Sequence, residues 1–189
     1  MATSKDEVSL LELLDLSQLQ CLDESDEHTL RSIVSEKKMN TSSNYLLSDV
    51  DAELLLTIPF NQSVKVSSLV IKASVFEQAP KDLKLFVNDP TIGFETVDEP
   101  VAEVEIGKDE GEDLETLKKG LQQGLRINLQ QGRRIKVKFS KLQTVTSLHI
   151  FVASNQGGGD ETRIDAIDVL GFTPETTKDL SGLKNVEDH

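Results

Sequence analysis

The stretch from Val145 to Gly171 constrains the fold more than any other part of this sequence. Its first run, Val145 to Ala153, alternates in polarity with a period of two, which is typical of a strand with one buried face. Phe151 interrupts the polar face, which indicates a central strand that is covered on both sides. A glycine-rich turn at 157–159 then leads into a second apolar run. The apolar face of the first run carries Leu148, Ile150 and Val152.

The second run and the turn before it allow two interpretations. The apolar residues change parity between Ile164 and Ile167, which predicts a bulge in this strand. The glycines of the turn serve backbone geometry in the simpler interpretation. In the alternative, loop carboxylates bind calcium, since carboxylate oxygens are the ligands that calcium prefers. The EF-hand spacing is absent, and the candidate ligands are Asp160, Glu161, Asp165 and Asp168.

Length and charge bound the class of protein. A chain of 189 residues fits one domain with short tails. Its net charge of −13 repels nucleic acid and anionic membrane surfaces, so we expect neither as a partner. The absence of Trp and the presence of one Tyr argue against an aromatic platform for sugars or bases. We expect a monomer.

The single cysteine, Cys21, excludes an internal disulfide, a CxxC redox pair and a zinc ribbon. The first residues lack the basic start and apolar core of a signal peptide, so we expect the cytoplasm and nucleus. No phosphate-binding glycine motif, HExxH or GxSxG occurs, and we predict neither a cofactor nor an enzyme.

Eight or nine short strands with regular turn signals predict an all-β fold, an antiparallel β-sandwich or jelly roll. Between Val66 and Leu69 the buried positions change parity, which indicates a bulge or a strand that passes from one sheet to the other. Pro59 lacks an N–H and is predicted at an edge or a strand end. Asn61-Gln62 is predicted as a turn, and Leu125, Ile127 and Leu129 as a further strand.

Helical spacing is confined to short segments. Leucines from Leu10 to Leu14 predict a short helical turn packed on the core, with a partner-binding helix as the alternative. Leu30, Ile33 and Val34 predict a second short helix, capped by Ser25 or Asp26. The polar segment 105–124 is predicted as a mobile acidic insertion, with one helical turn at Leu114–Leu117.

Several blocks in order resemble the PITH domain family. They are Asp49-Val-Asp-Ala-Glu-Leu-Leu-Leu-Thr-Ile-Pro-Phe-Asn-Gln, Ala79-Pro-Lys-Asp-Leu-Lys-Leu-Phe-Val-Asn, the run from Val145 to Gln156, and Lys184-Asn-Val-Glu-Asp-His. The resemblance covers about residues 10–189. It implies a galactose-binding-like jelly roll and, because the family is named for proteasome-interacting thioredoxin proteins, binding to the proteasome regulatory particle. Because the chain lacks CxxC, it resembles the family members that stand without a thioredoxin domain.

On this basis we predict a disordered N-terminus at 1–9, the PITH-like domain at 10–175 and a C-terminal tail at 176–189. A small-ligand sandwich that binds a sugar or calcium is the alternative function. The resemblance extends to the end of the tail, where His189 offers an imidazole and a carboxylate. These groups suit the open position of a catalytic zinc site on a partner. The predicted partner-binding residues are Lys184, Glu187, Asp188 and His189.

Two further groups are weaker candidates. Arg134, Lys136 and Lys138 alternate and form a basic ridge, flanked by Arg133 and Lys141. The ridge is either a solvated strand that protects a sheet edge or a docking surface for an acidic partner. The acidic run at 109–113 is expected to neutralise it. His149 is interpreted as a packed sheet residue rather than a catalyst, and His28 as a solvated side chain.

Overall fold

The computed structural model describes residues 7–107, 114–137 and 140–173, with the backbone alone at 114–122. In chain order the strands of these residues are β1 (Val8–Ser9), β2 (Gln20–Leu22), β3 (Leu46–Leu47), β4 (Leu54–Lys72), β5 (Asp82–Val87), β6 (Ala102–Glu105), β7 (Arg133–Lys136), β8 (Val145–Val152), β9 (Arg163–Ile164) and β10 (Ala166–Phe172). The helices are α1 (Leu30–Val34) and α2 (Leu114–Gln131), with 3-10 turns at Leu10–Leu13, Leu16–Gln18, Phe76–Gln78, Phe94–Thr96 and Ser140–Leu142.

Two antiparallel layers share the long strand β4. The N-terminal part of β4 pairs with β2 and β8 in the order β2-β4-β8-β5-β6. The C-terminal part pairs with β10 and β7 in the order β1-β10-β4-β7. The predicted all-β sandwich is confirmed, and so are both interpretations of the parity change: β4 passes between sheets, and its register against β10 shifts between Val66 and Ser68. β3 and β9 form a separate pair.

The core explains why β8 is the centre of the molecule. Its inner-face residues Leu148, Ile150 and Val152 belong to one large cluster that contains residues of both layers. On the outer face, Phe151 joins Leu55 in a second cluster with Phe86 and Val97. The strand is therefore buried on both sides, as its sequence predicts.

Pro59 does not lie at an edge or a strand end. It is buried within β4 and pairs with Ser147 of β8, and the register shifts between Pro59 and Val64. The missing N–H is tolerated because the ladder is irregular at this point. The predicted turn at Asn61-Gln62 is also wrong, since these residues continue β4.

The N-terminal leucines pack on the core rather than offering a helix to a partner. Leu10, Leu11 and Leu14 are at most 1% exposed. The ordered fold also begins earlier than predicted, because Val8 and Ser9 pair with β10. Residues 1–6 lie outside the described part of the chain.

Helix α1 is capped by Thr29, not by Ser25 or Asp26. The Thr29 Oγ1 accepts the Ser32 N–H at 3.2 Å, and the Glu24 carboxylate accepts the Leu30 N–H at 2.7 Å. The helix is thus shorter than the acidic pattern suggests, although its predicted apolar residues are buried.

The predicted strand around Leu125 is the C-terminal half of helix α2. Leu125 and Leu129 are buried, whereas Ile127 is 52% exposed. The two leucines, four residues apart, lie on one helix face. The three residues also have strand spacing, which is why periodicity alone gave the wrong structure. Of the predicted acidic insertion, residues 108–113 lie outside the described chain.

Between Ile164 and Ile167 the structure has a break between two strands instead of the predicted bulge within one strand. β9 ends at Ile164 and pairs with β3, whereas β10 begins at Ala166 and pairs with β4. Among the described residues, no helix is both long and apolar enough to cross a membrane.

Candidate interaction surfaces

The glycine turn after β8 is held by one buried side chain, that of Asn155. This amide is 3% exposed. Its Nδ2 donates to the carbonyl oxygens of Gly159 and Glu161 at 3.0 and 2.9 Å, and its Oδ1 accepts the Gly158 N–H at 2.7 Å. Asn155 therefore satisfies three backbone polar groups of the turn, and the N–H groups of Gln156 and Gly157 donate to Ala79 and Glu77 outside it.

The glycines of this turn serve backbone geometry, as the simpler interpretation predicts. A Cβ at Gly157 would lie 2.8 Å from the carbonyl oxygen of Glu77. Gly158 adopts a φ of +76°, which is unfavourable for residues with a side chain. Gly159 has open space around it.

The carboxylates proposed as calcium ligands are dispersed. Asp165 accepts hydrogen bonds from Ser74, and Asp168 accepts one from Ser9 at 2.6 Å. Asp160 is exposed on the turn. Within the described ranges, no three His, Cys, Asp or Glu side chains are placed to hold a metal ion. Asp165 and Asp168 instead fasten neighbouring segments to β10 and to the residue before it.

His149 is a packed sheet residue with both ring nitrogens engaged. It is 2% exposed. Its Nε2 accepts the Asp89 N–H at 3.3 Å, so the proton of the neutral ring lies on Nδ1, 2.9 Å from Thr57 Oγ1. Burial lowers the pKa of His149, and the nearby Asp89 carboxylate opposes this only in part. The ring is neutral and structural.

His28 is not simply solvated. Its ring stacks on Tyr45 with a centroid distance of 4.0 Å, and the Arg163 guanidinium lies 3.6 Å from the Tyr45 centroid. Arg163 also pairs with Asp165 at 3.0 Å. The one tyrosine of the chain is thus already engaged by two neighbours, which argues against its use as a platform for a sugar.

The basic ridge lies on β7, at the edge of its sheet among the described strands. Arg134 and Lys136 are exposed, whereas Lys138 lies outside the described residues. Arg134 forms an ion pair with Glu7, which also accepts a hydrogen bond from Ser68 Oγ at 2.7 Å. Burial acts to raise the pKa of Glu7, but the hydrogen bonds and the Arg134 charge outweigh it and lower that pKa. Arg134 therefore fastens the N-terminal segment.

The ridge borders an open seam between the two layers. This cavity of about 850 Å³ has Glu103 and Glu105 of β6 on one wall and the basic residues of β7 on the other. The acidic run 109–113, predicted to neutralise the ridge, lies outside the described residues. Within the described residues, Glu103 and Glu105 line the seam opposite the basic residues.

A second cavity, which we call the lysine groove, lies on the other side of the ridge. Its volume is about 470 Å³. The Lys65 Nζ lies 5.5 Å from the centroid of the Phe172 ring. Sequence analysis did not identify this groove, because its residues come from three distant strands. The only local signal is that Lys65 alternates with two buried valines. The residues that line the groove include Glu7, Lys65, Arg134, Lys136, Val137 and Phe172.

The predicted tail contacts lie outside the described residues, which end at Thr173. Those contacts are Lys184, Glu187, Asp188 and His189. Their proposed contacts therefore stay predictions. The structure does show where the tail begins, because Phe172, next to the last described residue, lines the lysine groove.

Comparison with known proteins decides the family. The PITH domain model matches residues 1–188. The chain belongs to the PITH domain family. It is similar to Thioredoxin-like protein 1 of Schizosaccharomyces pombe, with 33% identity over 86% of this chain and 51% of that protein. The chain thus spans about half the length of that relative. PITH domain-containing protein 1 of Xenopus laevis is 28% identical over 96% of this chain and 78% of that protein. The human protein of the same name is 28% identical over 92% of this chain and 74% of its own length.

Solved structures show the fold of this PITH chain. A family 32 carbohydrate-binding module from C. perfringens NanJ, solved with galactose, matches with a TM-score of 0.56 and 11% identity over 87% of this chain and 99% of that module. A second such module from a Clostridium perfringens glycoside hydrolase matches with a TM-score of 0.59 and 10% identity over 92% of this chain and 99% of that module. The predicted galactose-binding-like architecture is confirmed. At these identities the likeness concerns the fold and does not extend to the ligand.

Proposed function

We propose that this PITH chain is a non-enzymatic interaction module that binds the proteasome regulatory particle in the cytoplasm and nucleus. The observation that carries the proposal is the family match, which continues from the jelly roll to residue 188 and so includes most of the tail. The match ends one residue before His189, and the likeness of the rest of the tail to the family supports a role for it in binding. Proteins of this family are named for their interaction with the proteasome.

The contact that we propose is made by the end of the tail. The imidazole of His189 suits the open fourth position of a catalytic zinc site, where three protein ligands leave one position free. The regulatory particle contains a zinc-dependent deubiquitinase, which offers such a site. Lys184, Glu187 and Asp188 would position the imidazole.

A binding role is favoured over catalysis by how the described polar groups are used. His149, the buried histidine, has both nitrogens engaged by neighbouring groups. Asn155 and Asp165 bond to nearby backbone or side-chain groups. The buried polar side chains thus stabilise the fold, while charged side chains remain at the surface for a partner.

A pulldown from cell extract tests the proposal. The bait is the full chain, and the variant lacks Glu187–His189. A chain lacking Met1–Asp6 is the matched control, because it removes a terminal segment outside the described fold without touching the tail. We expect regulatory-particle subunits with the full chain and the control, and loss of at least about tenfold with the tail variant. Recovery of no regulatory-particle subunit by the full chain would overturn the proposal. Equal recovery by all three chains would overturn the role of the tail.

A further inference from the structure

The lysine groove concentrates positive charge in a strongly acidic chain. Arg134 is paired with Glu7, but neither Lys65 nor Lys136 has a carboxylate partner among the described residues. The chain as a whole carries 33 acidic and 20 basic residues, so a groove of this sign departs from the average surface. Such a groove attracts acidic segments electrostatically.

Two buried valines support the groove from beneath, while its exposed surface is more polar than apolar. Val66 and Val137 are each 2% exposed, and the Phe172 ring lies beside Lys65. Lys65 and Lys136 are exposed, so salt screens their charges and their attraction for an acidic segment is strongest at low ionic strength. An acidic segment of extended backbone fits these properties.

The chain itself supplies such a segment at this place. Phe172 lines the groove, and the described chain ends one residue later, at Thr173. Residues 174–183 follow and carry two carboxylates, Glu175 and Asp179, against one lysine, Lys178. A tethered segment has a high effective concentration at a neighbouring site, so weak contacts are enough to hold it there.

The order of charges in this segment also fits. In an extended chain, alternate residues point to opposite sides. Glu175 and Asp179 then share one side, while Lys178 points to the other. Both carboxylates can face the groove lysines without bringing the lysine of the segment against them.

We propose that residues 174–183 dock in the lysine groove, with Glu175 and Asp179 next to Lys65 and Lys136. The docked part gives residues 184–189 a fixed starting point on the surface of the domain. This docking goes beyond the proposed proteasome binding and does not depend on it, because both the groove and the segment belong to one chain.

Hydrogen exchange of the full-length protein, without any partner, tests the docking. At about 20 mM salt, where surface charges are weakly screened, we expect amides of residues 174–183 to exchange at least about tenfold more slowly than in the free peptide of that sequence. The charge reversal K65E/K136E should abolish this protection. The matched control, K38E/K81E, reverses two lysines away from the groove and should retain it. Thermal unfolding checks that each variant is folded.

A charge swap makes the test specific. Combining K65E/K136E with E175K/D179K should restore slow exchange, because the attraction is re-established with opposite signs. Exchange of the wild-type segment at the free-peptide rate would overturn the docking. Equal protection in the wild type and K65E/K136E, or equal loss in K65E/K136E and K38E/K81E, would overturn the assignment to this groove. A swap that leaves exchange fast would overturn the pairing of Glu175 and Asp179 with the two lysines. None of these results depends on proteasome binding.

Discussion

The glycine turn at 155–162 and the lysine groove use their polar groups in opposite ways. In the turn, the buried Asn155 amide bonds to backbone groups of its own loop, and Thr162 donates from its hydroxyl to the Ala52 carbonyl at 2.6 Å. In the groove, Lys65 and Lys136 have no carboxylate partner among the described residues. One region is closed by its own hydrogen bonds, and the other is open.

This difference in the use of polar groups indicates which of the two regions can bind another segment. The turn has the composition that sequence analysis associates with a ligand loop, but its hydrogen-bonding groups are already used. The groove has no recognisable pattern, yet its ammonium groups are available. Hydrogen bonds made inside the protein stabilise it, whereas available charges recruit other segments.

The largest expected effect is that of Asn155→Ala. The substitution leaves buried backbone groups of the turn without partners, so we expect a loss of about 3 kcal/mol in the free energy of unfolding. Urea denaturation measures it, with Asp160→Ala as the control because Asp160 is exposed on the same turn. A loss below about 0.5 kcal/mol for Asn155→Ala would show that the turn is not closed in this way.

A pair of glycines in the turn sharpens the comparison. Gly157→Ala places a Cβ against the Glu77 backbone, and we expect a loss of about 2 kcal/mol from the forced shift. Gly159→Ala meets open space and should change stability by less than about 0.5 kcal/mol. Thermal or urea unfolding of both variants gives the answer. Equal effects would mean that close packing at Gly157 does not matter.

His149 extends the comparison to pH. Its pKa in the folded protein is lowered from the ordinary value of 6.5, so the unfolded state binds a proton more readily. The neutral His149 ring therefore contributes to the free energy of unfolding in full above about pH 6.5. This contribution is lost as the pH falls from that value through the lower pKa of the folded protein. We expect the NMR titration of the His149 ring to have its midpoint below the ordinary value of 6.5. An equal or higher midpoint would contradict the buried, neutral ring.

The smallest expected effect belongs to the groove. We expect K65E/K136E to lower the free energy of unfolding by about 1.4 kcal/mol at about 20 mM salt, because tenfold protection of the docked segment corresponds to that energy and both lysines are otherwise exposed at the surface. Urea denaturation beside Asn155→Ala provides the contrast. A loss above about 2 kcal/mol for the lysine variant would show that the groove is a structural element, and the comparison would fail.

Much of the fold could be predicted because its central strands carry strong local patterns. The alternation around Leu148 and the apolar Phe151 reveal a strand that is buried on both faces. The parity change between Val66 and Leu69 reveals a register shift of β4 against β10, just after β4 leaves the layer of β8. In each case the residues next to it in the sequence are enough to predict whether a side chain is buried.

The errors arose where two structures share one pattern or where tertiary contacts override it. Leu125 and Leu129 fit either a strand face or a helix face, and only burial against the sheet decides. Pro59 is tolerated inside β4 because a register shift removes the need for its N–H. The lysine groove joins Lys65, Lys136 and Phe172 across more than 100 positions of sequence, so no local pattern could predict it.

The central claim is that the tail of this PITH chain binds the proteasome regulatory particle. The most direct measurement is the affinity of the purified particle for the full chain and for His189→Ala, with the chain lacking Met1–Asp6 as the control. We expect His189→Ala to weaken binding at least about tenfold, or about 1.4 kcal/mol, while the control binds like the full chain. Equal affinity of His189→Ala and the full chain would contradict the proposed zinc contact, and no measurable binding of the full chain would contradict the account as a whole.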